Sequence, residues 1–115
     1  MSRRSERTGK LIQREISELL ERQVNDPRLS SLISVTDVSV SLDLKHAKVF
    51  ISAMGDESDR EEMLAGFNRA SGFFRRELSS QLKMRCPPEL TFHYDDSIER
   101  GARLLKMMSE LTSDE

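Results

Sequence analysis

Tryptophan is absent from this sequence, tyrosine and cysteine occur once each, and aromatic residues make up only 5% of the chain. A core built from it has to rely on Leu, Ile, Val, Met and the five Phe. The single cysteine, Cys86, excludes an internal disulfide framework, and it cannot by itself supply a structural zinc site, which takes four N/S ligands. No apolar run approaches the roughly 20 residues that span a bilayer. The first residues, MSRRSERTGK, are polar throughout and lack the apolar segment of a signal peptide. No glycine-rich phosphate loop of the Walker or dinucleotide type is present. From these absences we expect a soluble protein of a reducing cytoplasm, with no membrane contact.

What is there fits one small domain over residues 1–115, with a modest core. Apolar residues make up 37% and charged residues 33% of the chain. The net charge of −2 argues, as a total, against a nucleic-acid partner, but its distribution argues differently. Residues 1–14 carry Arg3, Arg4, Arg7, Lys10 and Arg14 against Glu6 alone, and residues 67–85 carry Arg69, Arg75, Arg76, Lys83 and Arg85 against Glu77 alone. The acids gather in GDESDREE and YDDSIE. Because screening confines potential to about 8–10 Å, a chain with segregated charge can offer phosphate a basic face despite an acidic sum. The plainer reading of the same runs is a set of solvated helix faces.

The order of elements follows from hydrophobic period. Leu11, Ile12, Ile16, Leu19 and Leu20 form one stripe of a helix over Glu6–Gln23, ended by a turn at Asn25, Asp26 and Pro27. An alternating, β-branched run follows, in which Ile33 and Val35 are odd-numbered but Val38, Val40 and Leu42 are even. One strand cannot bury both sets on one face, so the phase change predicts a bulge or break near Thr36 and Asp37. A turn at Asp43–His46 leads to a second strand with Ala47, Val49, Ile51 and Ala53 inward, which makes an antiparallel hairpin.

A long helix is expected from about Arg60 to Leu82, capped by Ser58 or Asp59, with Leu64, Phe67, Phe74, Leu78 and Leu82 on its buried face. Arg69, Arg76 and Lys83, spaced by seven, would form a cationic stripe opposite. Leu90, Phe92 and Tyr94 alternate as a third strand. A last helix, capped by Asp96 or Ser97, would bury Ile98, Leu105, Met108 and Leu111 and end in a frayed tail at about 112–115. Three strands with helices on one face make an α+β domain.

Catalytic patterns are missing. His46 lies in the hairpin turn and His93 in a strand, neither with metal-ligand spacing. Asp95 and Asp96 are better explained by turn and helix-cap chemistry than by acid/base work, and Cys86 has no base beside it. A small hydrolase using Asp95, Asp96 and His93 is the least supported reading. Met107 and Met108 could form a soft partner surface, although core packing accounts for at least one of them more simply.

Gly72, within NRASGFFRREL, conflicts with its helix, because glycine costs about 1 kcal/mol relative to Ala there. It serves either close packing against a neighbour or a break that brings backbone N–H groups and the flanking Arg69, Arg75 and Arg76 to a phosphate chain.

The stretches DPRL, SVTDVSVSLDLKHAKVFIS, NRASGFFRREL and LKMRCPPELTFHYDDSIERGARL together resemble the ribosome-binding factor A family, and the element order resembles a type II KH domain. KH domains clamp nucleotides with a GXXG loop, which is absent here. The family has an Ala-X-Gly helix interruption in its place, and Ala70, Ser71 and Gly72 match it. The resemblance implies a non-enzymatic, cofactor-free and monomeric assembly factor. It would bind the free 30S subunit and its 16S rRNA, assist late maturation and 5′-end processing, and matter for growth in the cold. Other assembly factors are possible further partners. The RNA-binding residues expected are Arg69, Ala70, Ser71, Gly72, Arg75, Arg76, Lys83 and Arg85, with Arg3, Arg4, Arg7 and Lys10 as a second patch and Lys45 and Lys48 near the hairpin. The alternative is a protein-interaction module that docks on another assembly factor or a ribosomal protein.

Overall fold

The computed structural model describes residues 3–23, 33–53 and 57–113. Along these run helix α1 (Arg3–Gln23), strands β1 (Ile33–Val40) and β2 (His46–Ala53), helices α2 (Glu57–Arg69) and α3 (Ser71–Leu82), strand β3 (Glu89–Tyr94) and helix α4 (Ser97–Ser113). The sheet order is β1-β2-β3, with β1 antiparallel and β3 parallel to β2. The turn expected at Asn25–Pro27 lies outside the described residues.

The phase change in β1 is a bulge. Val35 pairs with Ile51 and Asp37 with Phe50, which leaves Thr36 without a cross-strand partner. The bulge turns Val35 and Val38, one from each parity set, to the same buried face. They join Ala47, Val49 and Ile51 of β2 and Leu90 and Phe92 of β3. Against this face pack Ile12, Ile16 and Leu19 of α1 and Phe74 and Leu78 of α3, with Leu64, Phe67 and Leu82 half-buried at the margin. Helix α1 lies on β1, and α2 and α3 lie on β3. The smallest dimension of the molecule, 20 Å, is that of one sheet and one helix layer. No described element covers the other sheet face.

Several expectations are corrected here. Helix α1 begins at Arg3 rather than Glu6, and Leu11 stands on its exposed side. Leu42 falls in the hairpin turn and is 73% exposed, because the strand ends at Val40 before its alternation can bury it. Helix α2 begins at Glu57, so Ser58 and Asp59 are inside its first turn and cannot cap it.

The largest difference is α4. Leu105, Met108 and Leu111 are exposed, as are Leu104 and Met107. Their periodicity is that of a helix with a buried face, but no other described element of the chain covers it. The side chain of Ile98 lies outside the described part. The start of α4 is held by Glu99, which accepts from Arg60 at 2.6 Å and from the Tyr94 hydroxyl at 3.1 Å, while the Arg60 guanidinium stacks 4.4 Å from the Tyr94 ring centre. Burial and the bond to Glu99 raise the Tyr94 pKa above its usual value.

Candidate nucleic-acid interface

The expected long helix is interrupted at Ala70. Its N–H is shared between the carbonyls of Gly66 and Phe67, both at 3.1 Å, and its dihedrals, φ −89° and ψ 6°, leave the helical range. Bonding resumes with the Phe74 N–H, which donates to the Ala70 carbonyl at 3.2 Å. The amides of Ser71, Gly72 and Phe73 therefore head α3 as its open N-terminal donors, at the positive end of its dipole. Ala70 offers them no side-chain cap.

The break is fixed to the sheet. Asn68, two residues before it, accepts the Phe92 N–H at 2.9 Å and donates to the Phe92 carbonyl at 3.3 Å, occupying the free edge of β3 as a neighbouring strand would. Beneath it, the Phe67 ring lies 5.1 Å from Phe92 and 5.9 Å from Phe74. Phe73 is half-buried, edge-on to Phe74, and belongs with this cluster rather than with the surface.

Gly72 is exposed, and its φ is not left-handed. A Cβ built on it would meet nothing nearer than the Arg76 guanidinium at 3.9 Å. Close packing is therefore not the reason for this glycine. Its missing side chain leaves the first turn of α3 open to solvent, with the Arg76 guanidinium alongside. The tight glycine is Gly9, where a Cβ would come within 2.8 Å of the Val38 carbonyl oxygen.

The cations divide into distinct roles. Arg69 ends α2, Arg76 lies within α3, and Lys83 is the left-handed C-cap of α3 at φ 54°; all three are exposed. The even spacing of seven therefore does not give one straight stripe, because a break and a cap fall within it. Arg75 is turned away from solvent: its Nε–H donates to the Pro88 carbonyl at 3.2 Å and its Nη2 to that of Pro87 at 3.1 Å. It anchors the loop that carries the exposed Arg85.

Topology brings separate basic segments to one end of the sheet. Helix α1 runs antiparallel to β1, since Gly9 abuts Val38 and Gln13 donates to the Val35 carbonyl at 3.2 Å. The exposed Arg3, Arg4, Arg7 and Lys10 thus lie toward the hairpin turn that holds Lys45. The Glu89 N–H donates to the Lys45 carbonyl at 2.9 Å, so the loop with Lys83 and Arg85 arrives at the same end. A shallow groove of about 560 Å³ lies there, lined by Asp43, Lys45, His46, Arg75, Cys86 and Glu89 among others. The Ser41 hydroxyl and the Lys45 N–H hold the Asp43 carboxyl below its usual pKa. Asp95, Asp96 and the acidic first turn of α2 belong to the opposite end.

The arrangement offers hydrogen-bond donors and fixed positive charge. Asp95 accepts the Thr36 hydroxyl at 2.5 Å and the Ser97 N–H at 2.9 Å, and Asp96 is paired with Arg100 at 2.8 Å. His46 faces Glu89 at 3.5 Å, and His93 meets the Thr91 hydroxyl at 2.9 Å. Among the described residues, no three of His, Cys, Asp or Glu are placed to hold a metal ion, and no helix is long and apolar enough to cross a membrane. Sequence reasoning missed Asn68 and Gly9. An asparagine late in a helix, where it is a poor former, was the available signal for the first.

Residues 4–108 match the family model for ribosome-binding factor A. A ribosome-binding factor A of Halothermothrix orenii is 45% identical over 97% of this chain and 91% of its own. The crystal structure of ribosome-binding factor A from Thermus thermophilus superposes with a TM-score of 0.65 at 27% identity, covering 78% of this chain and 93% of that one. A homology model of the Thermus thermophilus factor, fitted into a cryo-electron microscopy map of its complex with the 30S subunit, matches with a TM-score of 0.62 at 27% identity, over 76% and 91% of the two chains.

Proposed function

This chain belongs to the ribosome-binding factor A family, and on that premise we propose that it binds the free 30S subunit in the cytoplasm as a monomeric assembly factor. In this reading it contacts 16S rRNA, assists late maturation of the subunit and processing of the 16S 5′ end, and supports growth in the cold. It does no covalent chemistry. It holds one local rRNA conformation while maturation proceeds.

The observation that carries this reading is the opened first turn of α3. Three uncapped backbone amides head α3 at the positive end of its dipole, beside the exposed Gly72 and Arg76, and such a turn suits a phosphate oxygen. Arg69, Lys83 and Arg85 extend the positive field along the same helices and loop. Arg3, Arg4, Arg7, Lys10 and Lys45 supply a second set at the sheet end. Arg75 contributes by fixing the loop beneath Arg85.

Reversal of Arg76 and Lys83 to Glu tests the proposal. Each lost phosphate contact lowers the slope of log affinity against log salt by about 0.7–0.9, so the pair should reduce it by about 1.4–1.8 while the thermal midpoint stays put. Unchanged affinity for the small subunit would remove these cations from the mechanism.

The exposed face of α4 favours a second contact, with a protein neighbour on the subunit, either a ribosomal protein or another assembly factor. Leu104, Leu105, Met108 and Leu111 stand 55–73% exposed, Arg103 precedes them and Lys106 lies between Leu105 and Met108, which suits a protein surface bordered by rRNA. Leu105→Ser with Met108→Ser should weaken binding to the subunit but not to protein-free rRNA. Equal loss on both would assign α4 to RNA instead.

A further inference from the structure

The uncovered face of the sheet carries one aromatic side chain in a polar field. On β2 this face presents His46, Lys48, Phe50 and Ser52, alternating with the buried Ala47, Val49 and Ile51. The register sets Phe50 between Asp37 of β1 and His93 of β3, and sets Lys48 between Ser39 and Thr91. Phe50 is half-buried, its ring centre 5.6 Å from that of His93 and tilted by 34°. Lys48, Thr91, Ser39 and Asp37 are exposed. A cross-strand ring pair accounts for part of this arrangement, but no core contact is gained by a phenylalanine pointing away from the helices on the central strand.

The surroundings of the ring have direction. One step along β2, about 6.6 Å away, Lys48 leads toward Lys45 and the basic end of the sheet. On the other side, a groove of about 280 Å³ opens, lined by Asp37, Phe50, Tyr94, Asp95, Asp96 and Arg100. Its three carboxylates are engaged unequally. Asp95 takes two donors and Asp96 pairs with Arg100, whereas Asp37 accepts only the Val38 N–H, through Oδ1 at 2.9 Å. Its second oxygen has no bond among the described residues, and Asp37 lines the same groove as Phe50, its cross-strand partner.

We propose that the open sheet face is a further RNA site, where a single unpaired base stacks on Phe50 beside His93. Its amino edge donates to Asp37, and its backbone phosphate lies on Lys48. The assignment rests on the RNA-binding reading above and adds to it a stacking platform distinct from the first turn of α3. Sheets that bind single-stranded RNA use aromatic rings on an open face in this way. A protein partner fits less well, because an interface core wants contiguous apolar surface and the neighbours of Phe50 are polar. The carboxylate at the edge selects bases with an exocyclic amine, so adenine, cytosine or guanine is preferred to uracil, which offers none.

The chain contains no tryptophan, so Phe50→Trp introduces a unique fluorophore that keeps the stacking surface. With the full chain, the probes are single-stranded hexaribonucleotides of adenine and of uracil, and isolated small subunits are run in parallel. Adenine hexamer should quench the emission of the introduced tryptophan, and uracil hexamer should do so only at higher concentration. Phe50→Leu, which keeps an apolar side chain of similar size, should bind the adenine hexamer about 5- to 150-fold more weakly, the span of one stacked base, with an unchanged thermal midpoint. Asp37→Asn should reduce the preference for adenine. Absence of quenching by either hexamer, or an affinity unaltered by Phe50→Leu, overturns the platform. If the wild-type protein still binds small subunits in that case, the proposed function stands without it; if it does not, that reading fails as well.

Discussion

Replacing Gly72 with alanine should separate folding from binding in opposite directions. The site is the second residue of α3, its φ is not left-handed, and the nearest atom to an added methyl group is a flexible guanidinium at 3.9 Å. Nothing in the free protein has to move. Alanine exceeds glycine in a helix by about 0.5–1 kcal/mol, and in a first turn we expect the lower figure, about 0.5 kcal/mol. At about 4–8 °C per kcal/mol for a domain near this size, the thermal midpoint should rise by about 2–4 °C.

Binding should move the other way. The methyl group occupies the approach to the open amides, and hydrogen bonds to a charged group are worth about 1.5–3 kcal/mol, so affinity for the small subunit should fall by a factor of about 10–150. Thermal denaturation and sedimentation binding on the same preparation measure both. A variant destabilised by more than about 1 kcal/mol would mean that the glycine serves the fold, and one with unchanged affinity would mean that the amides hold no phosphate.

Gly9→Ala is the contrasting case. Its methyl group would sit 2.8 Å from the Val38 carbonyl oxygen, so α1 must lift from β1, and such overpacking costs about 1–3 kcal/mol. Urea denaturation should record that loss, and a variant as stable as the parent would contradict the close approach. Asp95 provides a pH test. The Thr36 hydroxyl and then the Ser97 N–H hold its pKa below the usual 3.8. A carboxyl whose pKa is depressed by folding stabilises fully above its unfolded value and loses that contribution as pH falls through the folded one. The stability gap between wild type and Thr36→Val should therefore be constant near neutrality and close below about pH 3.8; a gap that persists unchanged in acid would assign the effect to packing.

Features governed by local phase could be read from the sequence. The shift from odd to even apolar positions pointed to a bulge or break near Thr36 and Asp37, and the structure resolves it as a bulge at Thr36 that buries both Val35 and Val38. The conflict of Gly72 with its helix left close packing and a break both open, and only the Ala70-Ser71-Gly72 resemblance favoured an interruption; the break falls at Ala70, with Gly72 just inside the next helix. Features that depend on an acceptor far away in sequence could not be read. Arg75 has the composition of a surface cation, and only the return of Pro87 and Pro88 shows that it donates inward. Asn68 is fastened to Phe92 across 24 residues. The apolar period of α4 suggested a buried face, and the structure instead leaves Leu105, Met108 and Leu111 exposed, because period alone does not supply a covering surface. The basic patches were legible as charge, and their gathering at one end of the sheet required the parallel pairing of β3.

The central claim, that the chain meets the small subunit through phosphate contacts, is tested most directly by co-sedimentation with isolated small subunits and with whole ribosomes at two salt concentrations. We predict binding to the free subunit that weakens steeply as salt rises, and little binding to the whole ribosome. Binding to the free subunit that does not respond to salt, or no binding at all, would contradict the account.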